Sequence, residues 1–238
     1  MKFGKRTDIE ATDEEFSGLI ERLIEYDPGI PEEEIYPGRN RVTRIEYNGK
    51  AYAVKYFSRS LKNRLVYAIF KSKARRSYLY AKTLKRLGIS TPEPIGYAER
   101  RGFLNTLQDS LYICAYEDAM PLKEYLERGE KTWKEFGDFV AELHEKGVIH
   151  KDLNNANVRV QEKEDGRPVF SLIDLNRMKF YDDSDRVTGD TAYKNLVRFS
   201  YLTPEFEAFA LEYVKARNLA PTAYDSIMEA KRKHEKRK

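Results

Sequence analysis

Apolar residues at Phe16, Leu19, Ile20, Leu23 and Ile24 recur at steps of three and four, the spacing that lines one face of a helix. Thr12, with Glu15 three residues on, has the form of a capping box, so Thr12 is expected at the N-cap and Glu15 at N3. Asp27-Pro28-Gly29 supplies the stop. Beyond it the period drops to two. Residues 41–47 alternate polar and apolar, Asn48-Gly49 is a strong two-residue hairpin signal, and 51–57 form the return strand. Ile35-Tyr36 predicts a short strand ahead of the hairpin. Residues 61–87 are expected to be helical, with a broken apolar face made by Leu65, Ile69, Tyr78, Ala81, Leu84 and Leu87, and with Gly88 as C-cap. Residues 95–99 and 110–116 predict two further strands.

Past Tyr116 the pattern turns helical. A short helix is expected over 122–126. A second capping box, Thr132 with Glu135, opens a helix that turns Trp133, Phe136, Val140 and Leu143 inward and stops at Gly147. A short apolar strand over 170–173 follows the turn Glu164-Asp165-Gly166. Helices then fit 190–200, 204–217 and 222–235, the second with Thr203 as cap and Pro204 at N1. The pattern predicts an α+β chain: residues 1–116 as a lobe of helix and antiparallel sheet, and residues 117–238 as a mainly helical lobe.

Composition narrows the classes. A chain of 238 residues fits one two-lobed domain or two small ones. With 41% hydrophobic and 13% aromatic residues it can bury a core, which excludes wholesale disorder. The single cysteine, Cys114, excludes an internal disulfide, and three histidines argue against a histidine metal cage. No stretch free of charged residues exceeds seven, and the N-terminus has no apolar core of a signal sequence. A soluble, cytoplasmic protein is expected. Charge is unevenly spread: residues 58–92 hold ten Lys or Arg and no Asp or Glu, against +4 for the whole chain. Such a block draws an anionic partner, because ordinary surfaces intersperse signs. The competing reading is a solvated helix face. The basic tail 231–238 is expected to be a solvated terminus.

Three pieces carry candidate chemistry. His150-Lys151-Asp152-Leu153-Asn154-Asn155-Ala156-Asn157 has the form H-x-D-L-x-x-x-N. Asp174 ends an apolar strand seventeen residues after Asn157, and Lys55 lies in a strand far upstream. Phosphoryl transfer leaves little covalent work to the protein, so positioning and charge neutralisation dominate. A strand lysine can hold nucleotide phosphates, a carboxylate beside an acceptor hydroxyl can take its proton, and Asp and Asn oxygens suit Mg²⁺. Each residue has a plainer reading: Asp152 as a loop or capping residue, Asp174 as a turn residue, Lys55 as a half-exposed strand lysine. Their order and spacing together favour the chemical one.

The segments YAVKYF (52–57), LKRLGISTPEPIGY (84–97), VIHKDLNNANVRV (148–160) and FSLIDLNRMKF (170–180) resemble the protein-kinase-like superfamily, and more narrowly its lipopolysaccharide kinase (Kdo/WaaP) family. The resemblance implies a bilobal protein-kinase-like fold, with Lys55 contacting the ATP phosphates, Asp152 as catalytic base, and Asn157 and Asp174 as Mg²⁺ ligands. It implies that His150 tethers the catalytic loop, that Gly38, Arg39 and Asn40 cover the phosphates, and that Tyr116 and Glu117 belong to the hinge meeting adenine. The acceptor implied is a hydroxyl of a lipopolysaccharide inner-core sugar, Kdo or heptose, carried by an anionic glycolipid. The basic segment suits that acceptor and peripheral contact with an anionic membrane.

The sequence departs from the superfamily in several places. Only Gly38 stands in the phosphate-covering loop, no glycine follows Asp174, and no A-P-E triplet is present. The helix glutamate that pairs the strand lysine in protein kinases has no counterpart in 58–92, where Ser77 takes its place. A protein Ser/Thr kinase, an aminoglycoside-type kinase, and a pseudokinase or binding module stand as alternatives. Nucleic-acid binding lacks an accompanying motif, with Tyr67, Tyr78 and Tyr80 expected to pack rather than stack on bases. The oligomeric state is not legible.

Overall fold

The Asn48-Gly49 turn brings both its residues to positive φ, 50° and 71°, the geometry that matches strand twist in a two-residue hairpin. It joins β3 (Arg41–Tyr47) to β4 (Lys50–Tyr56) with Val42 opposite Lys55. In this computed structural model, residues 6–37, 40–57, 61–182, 187–198 and 202–237 are described. The chain divides into two compact units, Met1–Arg86 with Thr91–Asp118, and Leu87–Ser90 with Ala119–Lys238.

The first unit is built on an antiparallel six-stranded sheet in the order β1-β5-β6-β4-β3-β2, with β1 at Arg6–Ala11, β2 at Glu33–Pro37, β5 at Pro94–Arg101 and β6 at Leu107–Ala115. Period-two alternation in β4 sends Tyr52, Val54 and Tyr56 to one face. There they pack with Ile45, Ile113 and the apolar stripe Leu19, Ile20, Leu23 and Ile24 of α1 (Glu14–Ile24). The opposite face carries Tyr97 and Tyr112, which pack with Ala74 and Tyr78 of α3 (Lys73–Arg86). Lys55 is paired with Tyr112 on β6 and so belongs to this α3 face.

The structure adds one element and corrects three expectations. Residues 6–11 form an edge strand that the sequence pattern does not signal, because Arg-Thr-Asp-Ile-Glu-Ala holds no apolar run. The N-cap of α1 is Asp13, not Thr12: the Asp13 carboxylate accepts from the Phe16 N–H at 2.9 Å. The basic stretch is two helices, α2 (Leu61–Ile69) and α3, broken where Ser72 Oγ caps the second by accepting from the Arg75 N–H at 3.0 Å. Leu65 and Ile69 do not face the core; they are 66% and 85% exposed.

The second unit holds α4 (Leu122–Leu126), α5 (Glu130–Glu145), α6 (Gly189–Leu196), α7 (Pro204–Ala216) and α8 (Thr222–Glu235). It also holds two small sheets: β7 (Met120–Pro121), β9 (Val158–Glu162) and β10 (Pro168–Leu172) in one, β8 (Val148–His150) and β11 (Met178–Phe180) in the other. Its centre is aromatic. Phe136 lies 5.6 Å from both Phe170 and Phe209, and Trp133 meets Phe209 edge-on at 6.3 Å. Thr203 caps α7 as expected, accepting from the Phe206 N–H, with Pro204 in its first turn. Thr132 does not cap α5, which starts two residues earlier; its hydroxyl donates to the Gly129 carbonyl instead. The tail is no simple solvated end. Helix α8 runs to Glu235 and Lys231 is fully buried, its ammonium donating to the Val197 carbonyl at 3.1 Å. Gly147, at φ +69°, lies where a Cβ would meet the Tyr181 carbonyl at 2.5 Å, so only glycine lets α5 turn directly into β8. No helix among the described residues is long and apolar enough to cross a membrane.

His144 of α5 is completely buried. Its Nδ1 accepts from the Tyr213 hydroxyl at 2.7 Å and its Nε2 donates to Asn195 Oδ1 at 3.1 Å. Burial, first of all, lowers its pKa to about 4. Between that value and the ordinary 6.5 the unfolded chain binds the proton and the folded chain does not, so stability falls as pH drops through this window. Denaturant titrations at pH 7 and pH 4.5 should therefore show a loss of about 2–3 kcal/mol that His144→Gln abolishes.

Candidate active site

His150 closes β8 opposite Met178 of β11, and its ring is completely buried. The Asp152 N–H donates to Nδ1 at 3.1 Å. The proton therefore sits on Nε2, which donates to the Ile173 carbonyl at 3.0 Å. One imidazole thus fastens the loop bearing Asp152 to the strand end bearing Asp174. Its pKa is lowered by burial, so it stays neutral in this role. Asn195 of α6 secures the same point by donating to the His150 carbonyl at 2.8 Å.

The loop from 150 to 157 is shaped by its own amides. Asn154 Oδ1 accepts from the Ala156 N–H at 2.9 Å, an Asx turn. Asn154 and Asn157 both donate Nδ2–H to the Asp152 carbonyl, at 3.0 and 2.8 Å. With Nδ2 committed, Oδ1 is the atom of the Asn157 carboxamide that could serve a cation. Its carbonyl accepts from the Ile173 N–H at 3.0 Å, so Asn157 and Asp174 stand on directly bonded segments. Asp174 lies in the left-handed region, φ 56° and ψ 50°, a conformation that Asp tolerates better than most side chains. The turn Leu175–Arg177 follows, and Asn176 Nδ2 donates to Asp174 Oδ1, fixing the carboxylate.

The Asp152 carboxylate lies between two guanidiniums: Arg198 donates to Oδ1 at 3.2 Å, and Arg177 lies 3.6 Å from Oδ2. Arg198 and Asn195 do not follow from sequence pattern. Arg198 is 46 residues from Asp152, and nothing in its own neighbourhood sets it apart. Asn176 and Arg177 carry a signal, their place in the Ile-Asp-Leu-Asn-Arg run that begins at Ile173.

Among the described residues, no group of three His, Cys, Asp or Glu is arranged to hold a metal alone. Magnesium bound with a nucleotide needs less, since phosphate and water oxygens complete its shell. One carboxylate at Asp174 and one carboxamide oxygen at Asn157 fit that demand.

The other sequence candidates lie in the first unit. The Lys55 ammonium sits 5.6 Å from the centre of the Phe57 ring. Ser77 turns its hydroxyl back to the Lys73 carbonyl at 2.9 Å. Asn40 precedes β3. The Tyr116 N–H donates to the Ala51 carbonyl at 2.9 Å, its ring under the Arg44 guanidinium at 5.5 Å. Glu117 follows, close enough to act on Cys114, whose thiol burial pushes up to about 12, out of the reactive range. Gly38 and Arg39 lie outside the described residues.

This architecture is that of the kinase-like proteins. A solved structure titled "WaaP in complex with acyl carrier protein" matches with a TM-score of 0.62 at 17% identity, covering 96% of this chain and 98% of that one. The Rio2 kinase of Chaetomium thermophilum, solved as an ADP/Mg²⁺-phosphoaspartate complex, matches at TM-score 0.50 and 15% identity, over 97% of this chain and 82% of that one. The family profile described as "Lipopolysaccharide kinase (Kdo/WaaP) family" matches residues 32–206, and the chain belongs to that family. Curated relatives include the 3-deoxy-D-manno-octulosonic acid kinases of Pasteurella multocida (strain Pm70), 33% identical over 108 residues, and of Haemophilus influenzae (strain PittEE), 28% identical over 109 residues. Each match covers 43% of this chain and 45% of the relative, so the matched segment spans about half of those proteins.

Proposed function

We propose that the chain is an ATP- and Mg²⁺-dependent kinase that phosphorylates a hydroxyl of a lipopolysaccharide inner-core sugar. The observation that carries this reading is the fastening of Asp152, Asn157 and Asp174 to one another through His150 and the 157–173 backbone bond. Magnesium would neutralise charge on the transferring phosphoryl group. Asn157 Oδ1 and the Asp174 carboxylate would hold it, with Asn176 keeping Asp174 in position. Asp152 would accept the proton of the acceptor hydroxyl, and Lys55 would hold the nucleotide's α- and β-phosphates. Tyr116 and Glu117 would meet the adenine, and Gly38, Arg39 and Asn40 would cover the phosphates. Family membership and the names of the matched relatives support a glycolipid acceptor. A cytoplasmic site of action follows from the need for ATP.

The two guanidiniums bear on which sugar is used. They border the carboxylate that would touch the acceptor hydroxyl, the place where an anionic group on the acceptor would be drawn in. This favours Kdo, an acid sugar, over a neutral heptose. Arg198→Ala should raise KM for the acceptor about tenfold or more, the worth of one charge-assisted hydrogen bond, while KM for ATP stays within about twofold. Equal changes in both would remove the arginine from acceptor recognition. The whole reading is tested by incubating the chain with labelled ATP, Mg²⁺ and, in separate reactions, Kdo-bearing glycolipid, a peptide mixture and an aminoglycoside. Label is expected in the glycolipid alone.

A further inference from the structure

Outside the site, α2 and the β5–β6 turn, both in the first unit, carry exposed apolar side chains. Leu65, Val66, Ile69 and Phe70 are 66, 40, 85 and 65% exposed, and Phe103 and Leu104 at the turn are 60 and 75% exposed. The two groups form one surface. Asn105 Nδ2 donates to the Ala68 carbonyl at 2.7 Å, and Arg101 Nη1 bridges the Tyr67 and Asn105 carbonyls at 2.9 and 3.1 Å. Leu104 is held at φ 51° and Asn105 at φ 59°. A leucine in the left-handed region is costly, and such strain persists where the side chain has to be presented. Six exposed apolar side chains on adjoining elements exceed the scattered apolar residues of an ordinary surface.

We infer that this surface docks the protein on an anionic lipid bilayer, with Ile69, Phe70, Phe103 and Leu104 entering the interface. Charge selects the occupant. Four of the six side chains, Leu65, Val66, Ile69 and Phe70, belong to the segment 58–92, which has ten cations and no acid, with exposed Lys71 directly beside Phe70. A short helix with apolar side chains outward in a basic setting has the chemistry of an interfacial anchor. A second copy of the chain would set two such cationic segments against each other. The inference goes beyond the phosphotransfer reading and stands without it, since adhesion to lipid needs neither ATP nor acceptor.

The test is flotation of the purified chain with vesicles of phosphatidylethanolamine and phosphatidylglycerol at about 3:1, against vesicles of pure phosphatidylcholine, at physiological ionic strength. The chain is expected to float with the anionic vesicles at least tenfold more than with the neutral ones, and to be released at high salt. Ile69→Glu combined with Leu104→Glu should reduce binding by at least tenfold, and Lys71→Gln by about fivefold. Phe70→Ser and Phe103→Ser, made singly and checked by thermal melting, give the same reading should the double variant not fold. No flotation, equal flotation with neutral vesicles, or variants that float like wild type would overturn the inference. So would a patch that ignores vesicles and instead captures acyl carrier protein or a second copy in a complex that Leu104→Glu abolishes. Phosphorylation of a detergent-dispersed acceptor, measured in parallel, separates failure here from failure of the kinase reading.

Discussion

Asp152→Asn should lower kcat by about 10³-fold while the affinity for Mg²⁺-nucleotide changes less than about threefold. A positioned general base contributes about 10²–10⁴-fold in rate, and Asn keeps the shape but cannot take the proton. The loop should survive the change. Its geometry comes from the Asp152 main chain, whose N–H meets His150 and whose carbonyl meets Asn154 and Asn157, whereas the side chain meets Arg198 and Arg177 outside the loop. Single-turnover kinetics with titration calorimetry on a non-hydrolysable ATP analogue checks both halves. Wild-type turnover in the variant would remove Asp152 from the chemistry. Loss of nucleotide binding along with turnover would mean that the side chain works chiefly as an architectural group.

Asp174→Asn should be as damaging for a different reason. Removing the proposed anionic metal ligand is expected to cost about 10²–10³-fold in activity, the range seen when one charge-stabilising contact to a transition state is deleted. Unlike Asp152→Asn, it should also make nucleotide binding nearly indifferent to Mg²⁺. Asn176→Ala should reproduce a weaker form, about tenfold to a hundredfold in metal affinity, because the Asn176 amide only orients the ligand. Calorimetry at several Mg²⁺ concentrations distinguishes the two. If Asp174→Asn retains a steep Mg²⁺ dependence, the metal is held elsewhere.

The sequence made some of this visible, and the reasons are local. Asn48-Gly49 marks its hairpin because few residues accept two successive positive φ angles. Thr203-Pro204 marks the start of α7 because one residue caps and the next needs no donor. The 150–157 pattern was legible because its parts lie within one loop, and so was the Asp174 strand end. What lay hidden depends on distance or on neighbours. Asn195 and Arg198 reach the 150–157 loop across some 45 residues, a relation no spacing rule encodes. β1 is an edge strand whose pairing with β5, rather than its composition, makes it a strand. Periodicity correctly gave α2 an apolar side but assigned it to a core. The structure turns Leu65 and Ile69 outward, and that reversal is where a second surface of the molecule came into view. Capping motifs were found at the right helices yet displaced by a residue or more, since Thr, Asp and Glu in succession offer several competing caps at α1.

The most direct measurement is mass spectrometry of a Kdo-bearing lipid A acceptor after incubation with the purified chain, ATP and Mg²⁺. We expect the acceptor to gain one phosphate on its acid sugar, and to gain none with Asp152→Asn or when Mg²⁺ is chelated. An acceptor left unchanged by a folded, nucleotide-binding chain, or phosphorylated equally by the Asp152→Asn protein, would contradict the account.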